Sequence, residues 1–489
     1  MPDAQTKASR SVRGTYHRSS ILEEQVMSEK QQQVKQLWQD ALTGKISRRD
    51  VLVRGSALGL SGMALAALSQ ETVRGTLAQD RDPILNCYDW QLRLHPMFSI
   101  LGEEMGIIIE EAPSVDFSFD RFITEKNEGI STWDAYTGVT PFLEMKPLAD
   151  TETIEPWDPY LPEGVKEDIF PAAVEEGTYN GSMYVWPLLL DIIVQGWHAG
   201  FVEAAGLDPN VAPATWDEYI ANVKTVHEAG VTTYGVIFDN RDWRSLIPIT
   251  HSFDTDVYNP DGLFIYNSDA AVNALEVMKE LMQYTAPDVL AASSVDAAVL
   301  VDQAVWSSEQ AGYYFKYQNA PLTYSSTWQD PSQLRMDKLP SQPDTAGGTV
   351  FWNTGAVILT HGSNKEKMAE YMLNFSKDIR VWENSVVGNE DEGTTPVGQL
   401  PIIQSVWTEW DANPPAFLEG ADWAFAVRDS MANARAIQPT ALAISQFDVA
   451  RPEWHKYLSG EEADARTALT KAYDAVRAEF ERQTGSPAQ

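Results

Sequence analysis

The chain has 489 residues, enough for two or three domain-sized cores, and its 44% hydrophobic and 22% charged content is that of a globular protein. Its 70 acidic residues against 36 basic ones give a formal net charge of -34. That balance argues against nucleic acid, whose phosphates need Lys and Arg, and against anionic membranes; it disfavours a strongly anionic ligand unless local basic groups override the global field. The single cysteine, Cys87, excludes an intrachain disulfide, a four-cysteine zinc site and a C-x-x-C redox pair.

Residues 1–46 are polar and rich in Gln, Ser and Glu, and read as an N-terminal extension without a core of its own. Ser47-Arg48-Arg49-Asp50-Val51-Leu52 then precedes the apolar, Gly/Ala-rich run Gly55 to Leu68. That run is shorter than the ~20 residues a membrane-crossing helix needs. A basic stretch, an apolar stretch and small residues at Ala64-Leu65-Ala66 or Thr76-Leu77-Ala78 make residues 47–80 a signal peptide. Its paired arginines resemble those of twin-arginine export signals. Met27 would give a more usual length ahead of the arginines and is an expected alternative start.

Asp82 to Gln91 reads as the first strand, holding Cys87 as a buried structural thiol and ending at Trp90. A helix follows over Pro96 to Glu104, a strand over Gly106 to Glu110, a helix over Phe117 to Asn127 and a strand over Ser131 to Thr137. Strands alternating with helices imply parallel βαβ units, whose ligands sit at the carboxyl ends of the strands. That rule makes Trp90, Tyr136 and Thr137 candidates. Asn180-Gly181 predicts a tight turn, and Pro187 forbids a helix through that point. Leu188 to Val194 reads as a buried strand interrupted by one acid, Asp191. Thr215-x-x-Glu218 is a capping box for a helix from Trp216 to Glu228. Tyr234 to Phe238 is a strand, with Trp243 soon after it.

Beyond that, Asp269 to Tyr284 predicts a helix with a one-sided apolar face, and Val299 to Trp306 a strand. Gly347-Gly348 allows close backbone approach just ahead of Trp352. Ser363-x-x-Glu366 is read as a second capping box, Arg428 to Ile437 as a helix ended by Gln438-Pro439, and Ser459 to Glu462 as the start of the last helix.

The succession Asn180-Gly181-x-x-Tyr184-x-x-Pro187, the acid at 191, Ala205-Gly206-Leu207-x-Pro209 and Thr215-Trp216-x-Glu218 resembles the extracellular solute-binding proteins of ABC importers, specifically the carbohydrate-binding group that includes maltose-binding protein. The resemblance runs in order from about Asp82 to Phe480. It implies an α/β, two-lobed periplasmic-binding-protein type II fold, each lobe a mixed, mostly parallel sheet flanked by helices, with a cleft between the lobes. It divides the chain into residues 81–190 with 350–395 for the first lobe, 191–349 with 396–482 for the second, and a tail over 483–489. It also implies a small-molecule solute, a sugar or oligosaccharide, held near Asp191, Trp90, Tyr136, Thr137, Trp243, Gly348, Trp352 and Gln438. Its partners would be the transmembrane subunits of a permease, with no nucleic acid, and the receptor would act as a monomer outside the cytoplasmic membrane.

No H-E-x-x-H, G-x-S-x-G, Walker A or G-x-G-x-x-G motif is present, and the seven histidines include no i, i+4 pair. The expectation is therefore a binding protein without cofactor, metal or catalytic residues. Two alternatives stay open from the residues alone: a receptor for a polyamine or another cationic solute, which would also use Trp faces and carboxylates, and a secreted carbohydrate hydrolase built on two suitably spaced acids.

Overall fold

A computed structural model of the chain describes residues 81–112, 119–290, 300–342, 347–389 and 394–489. The extension, the signal segment and the expected start at Met27 lie outside the described residues. The chain divides into two units at Asp82, and the fold below is that of Pro83–Gln489.

In chain order the strands are β1 (Ile84–Tyr88), β2 (Ile108–Ala112), β3 (Ala135–Val139), β4 (Ile154–Glu155), β5 (Thr178–Tyr179), β6 (Ser182–Met183), β7 (Ile193–His198), β8 (Tyr234–Phe238), β9 (Ala311–Tyr317), β10 (Leu334–Lys338), β11 (Thr349–Phe351), β12 (Gly355–Leu359) and β13 (Ala434–Ala436). The first lobe is built on a sheet of order β2-β1-β3-β12-β4, the second on a sheet of order β10-β7-β9-β8. Both sheets are mixed. β1 runs parallel to β2 and β3, and β8 parallel to β9; β12 is antiparallel to β3 and β4, and β7 antiparallel to β9 and β10. Parallel pairing therefore does not dominate the second lobe.

Helices flank each sheet where the apolar spacing asks for them. The helix Trp216–Glu228 starts on the expected box: the Thr215 hydroxyl accepts from the Glu218 N–H, and the Glu218 carboxylate accepts from the Thr215 N–H. It buries Trp216, Tyr219, Val223 and Val226 against the second sheet. Asn180 and Gly181 take positive φ, at 51° and 84°, and close the β5–β6 hairpin.

Several local expectations are corrected. Trp90 lies not at a strand end but in the first turn of the helix Asp89–Leu94. The later part of the expected strand over 299–306 is the helix Val301–Ser307, because its polar residue Asp302 turns inward to meet Lys316 and Tyr314. Ser363 does not cap the next helix; Asp134 accepts from the Ser363 and Asn364 N–H groups, and the helix begins at Lys365. The last helix begins at Ala465, capped by Asp464, while Gly460 closes the preceding helix in the left-handed region. The helix expected to Ile437 ends at Ser430, and the chain then extends into β13.

Three chain passages join the lobes. Leu190 pairs with Leu400 and Ile192 with Phe351, while β11 runs parallel to β13. The apolar run from Leu188 to Val194 is wholly buried, but its first half makes these single bridges and β7 starts only at Ile193. Leu400, Trp407, Trp410, Val427 and Ala434 share a core with Trp157, Trp186 and Trp382. The second lobe's core holds Trp216, Tyr266, Trp306 and the two C-terminal helices.

Candidate functional site

Asp191 stands in the first passage, and its main chain is held on every side. The Gln318 side chain accepts from the Ile192 N–H at 2.6 Å and donates to the Leu190 carbonyl at 2.6 Å. The Trp352 N–H donates to the Asp191 carbonyl at 2.9 Å. The side chain is 1% exposed. Its Oδ2 accepts from Gln399 Nε2 at 3.3 Å, and Gln399 Oε1 lies 2.6 Å from His95 Nε2. Its Oδ1 has no partner. Burial pushes the Asp191 carboxyl up to about 8, against the pull of Gln399, the Asn319 backbone and Arg244.

Around Asp191 other buried polar atoms stand equally unpartnered. Glu176, from the helix Pro171–Gly177, accepts the Asn353 N–H at Oε1 (3.3 Å), while its Oε2 and both side-chain polar atoms of Asn353 bond nothing. Burial holds the Glu176 carboxyl well above its ordinary range, with Glu175 and Asp191 adding to the rise. Tyr317 closes β9, and Trp352 stacks on its ring at 4.8 Å and 26°. The Tyr317 hydroxyl and the Trp352 indole N–H are both buried without a partner. The Arg244 guanidinium lies 5.7 Å from the Tyr317 ring, and its Nε is likewise unpartnered.

A buried polar group left without a hydrogen bond costs roughly 1–3 kcal/mol, and folded proteins satisfy nearly all of them. Six residues concentrate such atoms at one lobe boundary. The second lobe backs this boundary with a buried ion cluster. Asp239 accepts Arg241 Nη2 at 2.6 Å, Arg244 Nη1 at 3.0 Å and Lys316 Nζ at 3.0 Å; Lys316 also meets Asp302, which takes the Tyr314 hydroxyl at 2.6 Å. Burial pushes the Asp239 carboxyl up, but Lys316, Arg244 and Arg241 together hold it well below its ordinary value.

No family profile matches the chain. One curated relative, described as a probable amino-acid ABC transporter periplasmic-binding protein of Sinorhizobium fredii, is 24% identical over 194 residues, 38% of this chain. The match spans 44% of that relative, under half its length. Solved structures agree over far more of the chain. The cyclic alpha-maltosyl-1,6-maltose binding protein of Arthrobacter globiformis superposes with a TM-score of 0.64 at 18% identity, over 82% of this chain and 99% of its own. The sugar-binding protein MalE of Xanthomonas citri gives 0.65 at 14%, over 82% and 98%. The maltose-bound MalE3 of T. maritima gives 0.62 at 18%, over 81% and 99%. The chain has the two-lobed fold of these maltose-binding proteins.

Within this maltose-binding fold, the residues expected at the site fall into three groups. Asp191 and Trp352 are brought together in the unpartnered cluster. Trp243, Gly348 and Gln438 line contacts between segments. Trp243 is packed between Phe142 (6.3 Å) and Phe447 (5.0 Å) with Arg241 and Arg451 over its ring. A Cβ on Gly348 would lie 2.1 Å from the His251 carbonyl oxygen, so only glycine fits there. Gln438 donates to Glu175 Oε1 at 2.8 Å. The third group stays in the first lobe. Tyr136 is buried against Phe119 and Phe122, Thr137 donates to Cys87 Sγ at 3.1 Å, and Trp90 stands half-buried, edge-on to Tyr88. Burial raises the Cys87 thiol to about 12, which keeps it inert.

None of Glu176, Arg244, Tyr317, Asn353 and Gln399 was among the site candidates taken from the sequence. Arg244 and Asn353 each follow a tryptophan that was, and the carboxyl-end rule applied to β8 and β9 would have reached Arg244 and Tyr317. A groove of about 880 Å³ is lined by Glu175, His251, Asp254, Gly347, Arg428 and Arg435 among others. None of the six residues of the unpartnered cluster lines it, and it holds no aromatic stack.

Proposed function

We propose that the chain is the extracytoplasmic solute-binding component of an ABC importer, which takes a sugar or oligosaccharide between its lobes and hands it to a permease. The observation that carries this reading is the cluster of unpartnered buried groups around the Trp352–Tyr317 stack, where the chain passes between lobes. An aromatic face suits the apolar C–H face of a sugar ring, and Asp191, Glu176, Asn353 and Arg244 supply hydrogen bonds to hydroxyls. The solved neighbours of the same fold are described as binding maltose and cyclic maltosyl-maltose. Closing the lobes removes water from both surfaces, and the ligand drives closure only through its higher affinity for the closed form. The receptor works as a monomer and performs no chemistry. No helix among the described residues is long and apolar enough to cross a membrane. Export would use the twin-arginine-like segment.

A thermal-shift panel of mono- and oligosaccharides, sugar acids, amino acids and polyamines tests this. A cognate sugar at 100 times its Kd adds about 2.7 kcal/mol. Stabilisation by spermidine and by no sugar overturns the reading, as does release of reducing ends from an oligosaccharide. With the stabilising sugar in hand, Trp352→Ala is expected to weaken binding by roughly 2 kcal/mol, about thirtyfold, in isothermal titration. Unchanged affinity would remove Trp352 from the site.

A further inference from the structure

We infer that the ligand carries a carboxylate, which Arg244 takes side-on, so that the receptor is built for an acidic rather than a neutral solute. The sugar identity rests on the function proposed above; the carboxylate does not.

The first observation is charge. The buried cluster behind the site sets Arg241, Arg244 and Lys316 against Asp239 and Asp302, which leaves one positive charge in excess. Arg451 and Asp242 beside it form a pair at 3.0 Å and add none. The excess sits nearest the lobe boundary in Arg244. Its Nη1 is turned to Asp239, while Nε has no partner. The Nε edge is the one that a carboxylate engages through two parallel hydrogen bonds.

The second observation is the kind of atom left over. The Trp352 indole and the Asn353 amide offer N–H donors, and the Tyr317 hydroxyl offers an O–H. Burial raises the Asp191 carboxyl to about 8 against the pull of Arg244, so near neutral pH it keeps its proton and is a further O–H donor; burial raises the Glu176 carboxyl as well. The Asn353 carbonyl oxygen and the Glu176 carboxyl are the acceptors set against these donors. A surface this rich in donors matches a ligand rich in acceptors. The overall charge of -34 opposes an anion at long range, but over a Debye length of about 8 Å the local excess decides.

The experiment compares binding of digalacturonate, maltose and L-glutamate to the whole protein by isothermal titration, with wild type, Arg244→Gln and Arg244→Lys. The expected result is that a carboxylate ligand binds at least tenfold tighter than maltose. Arg244→Gln should remove that preference, and Arg244→Lys, which keeps the charge without the fork, should restore part of it. Thermal melts of each variant verify the fold. Tighter binding of maltose than of either acid overturns the inference and leaves the sugar receptor standing. Binding of L-glutamate without either sugar supports the carboxylate and overturns the sugar. An acid preference that survives Arg244→Gln in a folded variant overturns the role of Arg244. Stabilisation by spermidine alone overturns both.

Discussion

Replacing Lys316 with methionine is expected to destabilise the protein by roughly 3–5 kcal/mol, the range for removing one partner of a buried ion pair. Lys316 is 2% exposed and lies against both Asp239 and Asp302, which are 2% and 3% exposed. The loss falls mainly on Asp302. Asp239 keeps Arg241 and Arg244, whereas Asp302 keeps the Tyr314 hydroxyl as its donor in this cluster. Adding Asp302→Asn to Lys316→Met should therefore recover much of the stability, because it removes the stranded charge. Urea denaturation with a two-state fit of the second lobe's signal measures both. A single variant within 0.5 kcal/mol of wild type would mean that water reaches this cluster freely.

Asp191→Asn is expected to act oppositely on stability and on binding. The folded carboxyl holds its proton up to about 8, whereas the unfolded one releases it near the ordinary aspartate value of 3.8. Between those values the folded state binds the extra proton, so Asp191 makes stability fall as pH rises. Glu176, raised for the same reason, adds to this slope. His95, His251 and His455 are held down by burial, to about 4, 3 and 4, and make stability fall as pH drops below their unfolded value near 6.5. The ligand-free protein should thus be most stable around pH 6–7, with the alkaline limb set by the carboxyls and the acid limb by the histidines. From pH 6.5 to 8 Asp191 alone contributes a loss of up to about 2 kcal/mol, at 1.36 kcal/mol per pKa unit. Asp191→Asn should flatten that limb, raise Tm at pH 8 and still weaken ligand binding at least tenfold. A wild-type alkaline limb identical to that of the variant would show that Asp191 does not titrate there.

Legibility in the sequence followed the range of the interaction that decided each feature. The capping box at Thr215, the Asn180-Gly181 turn and the strand Tyr234–Phe238 depend on neighbours a few residues away, and the structure places them where the pattern does. Asp191 stands out in the sequence because a lone acid inside an apolar run has no local reason to be there, and the structure buries it with one oxygen unpartnered. Where a distant group takes over, the local pattern misleads. Ser363 has the spacing of a cap, yet the N–H groups there go to Asp134, more than two hundred residues earlier. The run ending at Trp306 looks β-branched and apolar, yet Asp302 must face Lys316, and a helix lets it do so. The unpartnered cluster draws Glu176, Arg244, Tyr317 and Asn353 from four separate segments, and what marks it is the hydrogen bonds that are not made, which no sequence pattern displays.

Phe142 carries a further consequence. It leaves the first lobe on the turn Pro141–Met145 directly after β3, yet it is 2% exposed among second-lobe residues, against Trp243 and Phe447. Parting the lobes there means drawing that ring out into water, at a free-energy rise of roughly 1.5–3 kcal/mol. That rise belongs to the way out and not to the way in, since an incoming solute meets the ring already withdrawn. Phe142→Ala is therefore expected to shorten the dwell time of a bound solute by one to two orders of magnitude in stopped-flow release, although its ring lies among Trp243 and Phe447 and not in the unpartnered cluster.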